Sequence, residues 1–174
     1  MKVSKEIWVQ RMDNLNERRK RQEIKNDIKG VDDYCAHVHS CYIGKNVLDV
    51  GCGKQVIKQC LPKGTQYWGI DPFPISEGTI KMEIEQCGFP DKYFDTVYAF
   101  AMLDNVYDLK MATYNMKRVS SKNVVILTGI DIEPDQYHTV MISMQNLDEL
   151  FSPMKRTFTK WLLQDKIALI EYSW

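Results

Sequence analysis

The chain has 174 residues, 44% of them hydrophobic, and its 23 Lys+Arg balance 23 Asp+Glu, so the formal net charge is zero. That length and apolar content predict one domain with a sizeable core, and the zero net charge excludes recruitment of nucleic acid by a global field. No apolar run approaches the roughly 20 residues that span a bilayer.

The chain opens on the polar stretch Met1-Lys2-Val3-Ser4-Lys5-Glu6 rather than on a signal-like segment. Residues 4–29 are charged and helix-prone, with Ile7, Trp8, Met12, Leu15 and Ile24 as a thin apolar stripe. Their basic cluster, Arg18-Arg19-Lys20-Arg21, reads as a solvated helix face, or as a contact to an anionic substrate. Cys35-Ala36-His37-Val38-His39-Ser40-Cys41 has the residue types of a metal site. Its strict alternation does not match the C-x(2–4)-C and H-x(3–5)-H spacings of zinc sites, so no metal is assigned. Five cysteines at irregular spacing do not form a disulfide framework. A reducing, cytoplasmic setting is the corresponding expectation.

From residue 46 strands alternate with helices, the pattern of a parallel sheet with crossover connections. Strands are expected near 46–50, 66–70, 79–83, 94–100 and 123–129, and helices over 54–60, 108–120 and 145–151. Two further strands, from Arg156 to Leu163 and from Lys166 to Ser173, turn about Gln164-Asp165.

The chemistry concentrates at Val47-Leu48-Asp49-Val50-Gly51-Cys52-Gly53, with Asp71 of Gly69-Ile70-Asp71 standing 18 residues after Gly53. An apolar strand ending in a glycine turn, followed by a strand ending in an acid, suits an adenosine ligand: the acid accepts from the ribose hydroxyls. Gly51 and Gly53 allow close backbone approach, with Cys52 packed between them and Pro72 and Phe73 supplying apolar surface beside the adenine. A dinucleotide fingerprint needs a small residue where Val56 stands. Asp49, at the end of the first strand, repels a pyrophosphate and attracts a cation. A buried carboxylate there needs a partner, and the ammonium of a cationic cofactor is one. S-adenosylmethionine carries a sulfonium and an ammonium and no phosphate.

These blocks resemble the class I S-adenosylmethionine-dependent methyltransferases, especially small single-domain members. The resemblance covers roughly residues 45–174. Val47 to Gly53 is similar to that family's first motif, Gly69-Ile70-Asp71 to its second, and Glu83-Ile84-Glu85-Gln86-Cys87-Gly88-Phe89-Pro90-Asp91-Lys92-Tyr93-Phe94-Asp95 to its acidic turn. Leu103-Asp104-Asn105-Val106-Tyr107-Asp108 and Met116-Lys117-Arg118-Val119 resemble the loop and helix after the fourth strand. The departures are Gln55 for the third glycine of the turn, expected to face solvent, Glu83 for an Asp, and Asn105 for a His.

The resemblance implies a Rossmann-like α/β fold with a mostly parallel seven-stranded sheet, order 3-2-1-4-5-7-6, whose last strand is antiparallel. It also implies a methyltransferase domain over 45–174 and an N-terminal helical segment, 1–44, acting as a lid. Ile84 then offers backbone groups to the adenine edge and Glu83 or Glu85 a side chain to its amino group. Tyr98, Phe100 and Met102 form an apolar wall, Phe100 counting with the cofactor contacts. Asp104 and Asn105, in the loop over the cofactor, and His138, beside Tyr137 after the fifth strand, are the candidate catalytic groups, with His138 as the candidate general base.

The sequence lacks [DNS]-P-P-[YFW], the Pro-Cys nucleophile of cytosine C5 enzymes, and room for a large target-recognition domain. A small-molecule acceptor is expected, methylated in line. RNA or protein, reached through the basic helix, and a non-catalytic cofactor-binding or regulatory module are the alternatives. Neither the acceptor nor the oligomeric state is encoded in a motif.

Overall fold

In the computed structural model, the described residues are 4–21, 34–136 and 138–174. Their strands are β1 (Asn46–Val50), β2 (Gln66–Asp71), β3 (Ile80–Lys81), β4 (Phe94–Phe100), β5 (Ser120–Gly129), β6 (Lys155–Leu162) and β7 (Ile167–Ser173). The helices are α1 (Lys5–Arg21), α2 (Tyr34–Cys41), α3 (Val56–Cys60), α4 (Leu109–Val119) and α5 (Met144–Phe151). One sheet forms in the order β3-β2-β1-β4-β5-β7-β6. The pairs β1–β2, β1–β4, β2–β3 and β4–β5 are parallel, and β7 runs antiparallel to both β5 and β6. Parallel pairing brings the carboxyl ends of β1, β2, β4 and β5 to one rim, where such sheets bind ligands.

The central strands are apolar because both faces are covered. Leu48, Ile70, Val97 and Ile126 face one way and pack with Met116 of α4 and Leu147 of α5. Val47, Tyr98, Val125 and Leu127 face the other, against Val38 of α2 and Ile57 of α3. This is the period of two of a pleated strand. Tyr98 therefore belongs to the core, not to a binding wall: it is fully buried and its hydroxyl donates to the Val38 carbonyl.

Three expectations change. The third strand is two residues long, not five, because the chain leaves it at Met82 and folds Ile84–Gln86 as one 3₁₀ turn. Gln55 is buried with a left-handed φ of 54°. Its side chain holds that conformation by donating to the Glu77 carbonyl and Thr79 Oγ1, which explains how a non-glycine serves at the third position of the turn. Cys60 is disulfide-bonded, whereas Cys41, Cys52 and Cys87 are free. In the Cys/His cluster, His37 is buried and His39 bonds the Cys60 carbonyl. Among the described residues no helix is long and apolar enough to cross a membrane.

Helix α4 positions the segment between β3 and β4. Asn115 donates to the carbonyls of Ile84 and Glu85, and Arg118 reaches the Phe89 and Cys87 carbonyls and Asp91. Removing Arg118 strands two inward carbonyls. Arg118→Ala is expected to cost about 2 kcal/mol in urea unfolding, more than Lys20→Ala, whose recorded ion pair, with Glu17, lies on the exposed face of α1.

Candidate functional site

After β1 the chain turns through Gly51 (φ +67°) and Gly53 (φ +46°). A Cβ at Gly51 would lie 2.7 Å from Met102 Cβ, so the close approach itself demands glycine. The turn is tied to the end of β2 by Asp71: Gly53 N–H donates to its Oδ2 at 3.1 Å and Phe73 N–H to its Oδ1 at 2.8 Å. Asp71 is thereby buried at the rim with both oxygens fixed.

A cleft opens there, with Val50, Gly51 and Asp71 as floor and Pro72, Phe73, Glu83 and Ile84 as one wall. Its roof is α1, which contributes Trp8, Met12, Leu15 and Asn16. Spaced at i, i+4 and i+7, Trp8, Met12 and Leu15 share one helix face. Polar contacts hold the roof down. Trp8 Nε1 donates to the Asn105 carbonyl at 2.7 Å, Asn16 to the Phe73 carbonyl, and Lys5 pairs with Glu83 at 2.5 Å. The Trp8 ring lies 5.9 Å from that of Phe73 and 6.0 Å from that of Tyr107. No lysine or arginine lines the cleft among the described residues; its charged groups are Asp71, Glu83 and Glu85. Glu85 has its own task, accepting the N–H groups of Tyr107 and Asp108, which takes it away from an adenine amino group.

A second cavity lies at the carboxyl ends of β4 and β5 and shares Leu15 and Asn105 with the first. Asp104, Asn105 and His138, far apart in sequence, all line it. His138 Nε2 stands 3.7 Å from Asp104 Oδ2, and His138 Nδ1 is 3.0 Å from Asp135 Oδ1, which also accepts the His138 backbone N–H at 2.7 Å. The Asp104 carbonyl receives the N–H groups of Thr139 and Val140, fixing the two loops together. Asp135 lies in none of the family-like motifs; its signal in the sequence is the D-x-x-H spacing after Pro134. Tyr137 lies outside the described residues.

Met102 of the expected apolar wall lines the first cleft, whereas Phe100 and Cys52 line neither cavity. Phe100 packs beside Tyr98 and Leu127 in the core on the α2–α3 side of the sheet. Cys52 is buried near Thr79. In the basic cluster Lys20 pairs with Glu17, and residues 22–29 are outside the described set.

The glycine turn and the buried acid thus meet at the carboxyl rim of a mostly parallel sheet, the architecture of an α/β protein with its cleft at the strand ends. The methyltransferase domain family matches residues 13–166. The chain belongs to that family, the class I S-adenosylmethionine-dependent methyltransferases. Solved structures share the fold. The 1,6-didemethyltoxoflavin-N1-methyltransferase of Burkholderia thailandensis, with bound 1,6-didemethyltoxoflavin and S-adenosylhomocysteine, superposes with TM-score 0.74 at 11% identity, over 95% of this chain and 87% of its own. The magnesium protoporphyrin IX methyltransferase of Synechocystis, with bound S-adenosylmethionine, gives 0.68 at 11% identity over 98% of both chains. The [4+2]-cyclase SpnF gives 0.66 at 11% identity, over 80% of this chain and 78% of its own. No curated protein matches the sequence.

Asp49 has a partner within the chain: Tyr67 Oη donates to its Oδ2 at 2.7 Å. Burial pushes its carboxyl up to about 7; the Tyr67 bond opposes the rise and neighbouring Asp71 adds to it. Burial likewise pushes the Cys52 thiol up to about 12, leaving it a packing group rather than a nucleophile. Unfolded, Asp49 loses its proton near pH about 3.9. Between there and about 7 the folded chain holds a proton that the unfolded chain lacks, so this group's contribution to stability falls as pH rises. The prediction is that Asp49→Asn, which keeps the Tyr67 bond, gains on wild type by about 1 kcal/mol per pH unit through that window. Urea unfolding at several pH values checks it; a pH-independent difference contradicts it.

Proposed function

We propose that the chain is an S-adenosylmethionine-dependent methyltransferase acting on a small-molecule acceptor. The observation that carries this reading is Asp71, a buried acid at the cleft floor, in a lining with no lysine or arginine among the described residues. Its carboxylate suits two ribose hydroxyls, and a described lining with three carboxylates, where the adjacent Lys5 is already paired with Glu83, disfavours a phosphate-bearing cofactor. The residues present fit the group. Phe73, Pro72 and Ile84 supply flat apolar surface for adenine, and Gly51–Gly53 leave the backbone open to the methionine part. Asn105 Oδ1, at the junction of the cavities, is buried without a hydrogen-bond partner and suits an ammonium or hydroxyl donor.

When bound, this cofactor supplies a methyl group activated on a sulfonium. The protein's share is to align the acceptor, exclude water and take up a proton where the acceptor carries one. Helix α1 closes the cleft through Trp8 and Met12, and Leu15 faces both cavities, so one helix covers donor and acceptor together. Small-molecule substrates are named for two structural neighbours, 1,6-didemethyltoxoflavin and magnesium protoporphyrin IX, which supports the same class here.

Titration calorimetry with S-adenosylmethionine and S-adenosylhomocysteine tests the reading. Both are expected to bind, and Asp71→Ala to weaken them by about tenfold or more through loss of charged hydrogen bonds, with Asp71→Asn in between. No binding of either ligand to folded wild type contradicts it.

A further inference from the structure

The second cavity has a charge character of its own. Among the described residues its walls are mostly aliphatic, from Leu15, Leu127, Ile132 and Ile167, and no lysine or arginine lines it. Its ionisable groups are Asp104 and His138. Thr128, on the same wall, is almost wholly buried and its hydroxyl has no hydrogen-bond partner. Arg11 of α1 binds the Asp135 backbone carbonyl, not a group lining the cavity.

We propose that this cavity takes a small apolar amine as the methyl acceptor, held as its ammonium form by Asp104 and deprotonated by His138. The inference rests on the cofactor reading of the adjoining cleft.

The imidazole is oriented for this. Asp135 Oδ1 accepts, so the 3.0 Å contact puts the ring proton on Nδ1 and leaves the lone pair on Nε2. That nitrogen stands 3.7 Å from Asp104 Oδ2, so a cation bound to Asp104 lies within its reach. Asp135 is a positioning residue, holding the tautomer and the ring.

The carboxylates also select among acceptors. A phenol must build negative charge on oxygen before attack, and beside Asp104 that charge is repelled. A carboxylate or phosphate acceptor meets no lysine or arginine among the described lining residues. An amine nitrogen gains positive charge on methylation, which Asp104 stabilises. In the balanced step, His138 Nε2 takes one proton from the ammonium. The freed lone pair forms the N–C bond as the C–S bond of the sulfonium donor breaks, its electron pair passing to sulfur. The methylated nitrogen stays cationic beside Asp104, and the proton leaves through the partly exposed imidazole.

The test titrates the full chain, saturated with S-adenosylhomocysteine, with phenethylamine, phenylethanol and phenylacetate, following the His138 ring by nitrogen-15 NMR. The amine is expected to bind about tenfold or more tighter than the alcohol, and the acid not to bind. Asp104→Asn should reduce the amine to the level of the alcohol while S-adenosylhomocysteine affinity stays the same. Equal behaviour of the three probes, including binding by none, overturns the proposal, as does an amine preference that survives Asp104→Asn. Independently of any acceptor, the wild-type ring should carry its proton on Nδ1 and lose that preference in Asp135→Ala; protonation on Nε2 overturns the assigned roles. Failure of S-adenosylhomocysteine to bind overturns the cofactor reading instead, and the three-probe comparison on the ligand-free chain still decides the charge preference.

Discussion

Asp71 ties two strand ends to one another, and the rest of the rim takes its shape from that tie. The carboxylate sits where β2 leaves the sheet and accepts the N–H of Gly53 from the turn after β1. Its other oxygen accepts the N–H of Phe73 and turns the chain into the cleft wall. A buried acid is tolerable when backbone donors reach it, and these donors belong to the segments that shape the cleft. The glycine turn is as much a product of Asp71 as of its own glycines. Replacing either partner alters floor and wall together.

Around that tie, covalent distance and proximity part company. α1 stands at the start of the chain but closes on the carboxyl rim, where Trp8 reaches Asn105 and Lys5 reaches Glu83. The loops after β4 and β5 meet through the Asp104 carbonyl, which brings His138 to within 3.7 Å of the Asp104 carboxylate. Two cavities sharing Leu15 and Asn105 are the result, one with Asp71 at its floor and one aliphatic with a carboxylate and an imidazole.

Much of this was legible in the chain. The apolar run 47–50, the glycines and an acid 18 residues later carry a strand–turn–helix–strand unit because each depends on local residue type and spacing. The full strand order came from family resemblance, since periodicity identifies elements and not neighbours. Other features depend on contacts across the fold. Tyr67 as the partner of Asp49 is signalled only by Gly69, whose missing Cβ leaves room for the Tyr67 hydroxyl and the Cys52 sulfur, each within 2.8 Å of where a Cβ would sit. Gln55 reads as a solvent-facing helix start, yet it is buried because Thr79 and Glu77 lie opposite. Phe100 resembles a rim residue by position, but strand alternation sends it to the opposite core. The stripe Trp8, Met12 and Leu15 looked thin because a helix that roofs a cleft needs only one narrow face.

The measurement that tests the central claim most directly is a crystal structure of the chain with S-adenosylhomocysteine. The account predicts the ribose hydroxyls on the Asp71 carboxylate and the adenine between Phe73 and Ile84, with α1 above it. The ligand bound elsewhere on the protein, or bound with its ribose away from Asp71, would contradict it.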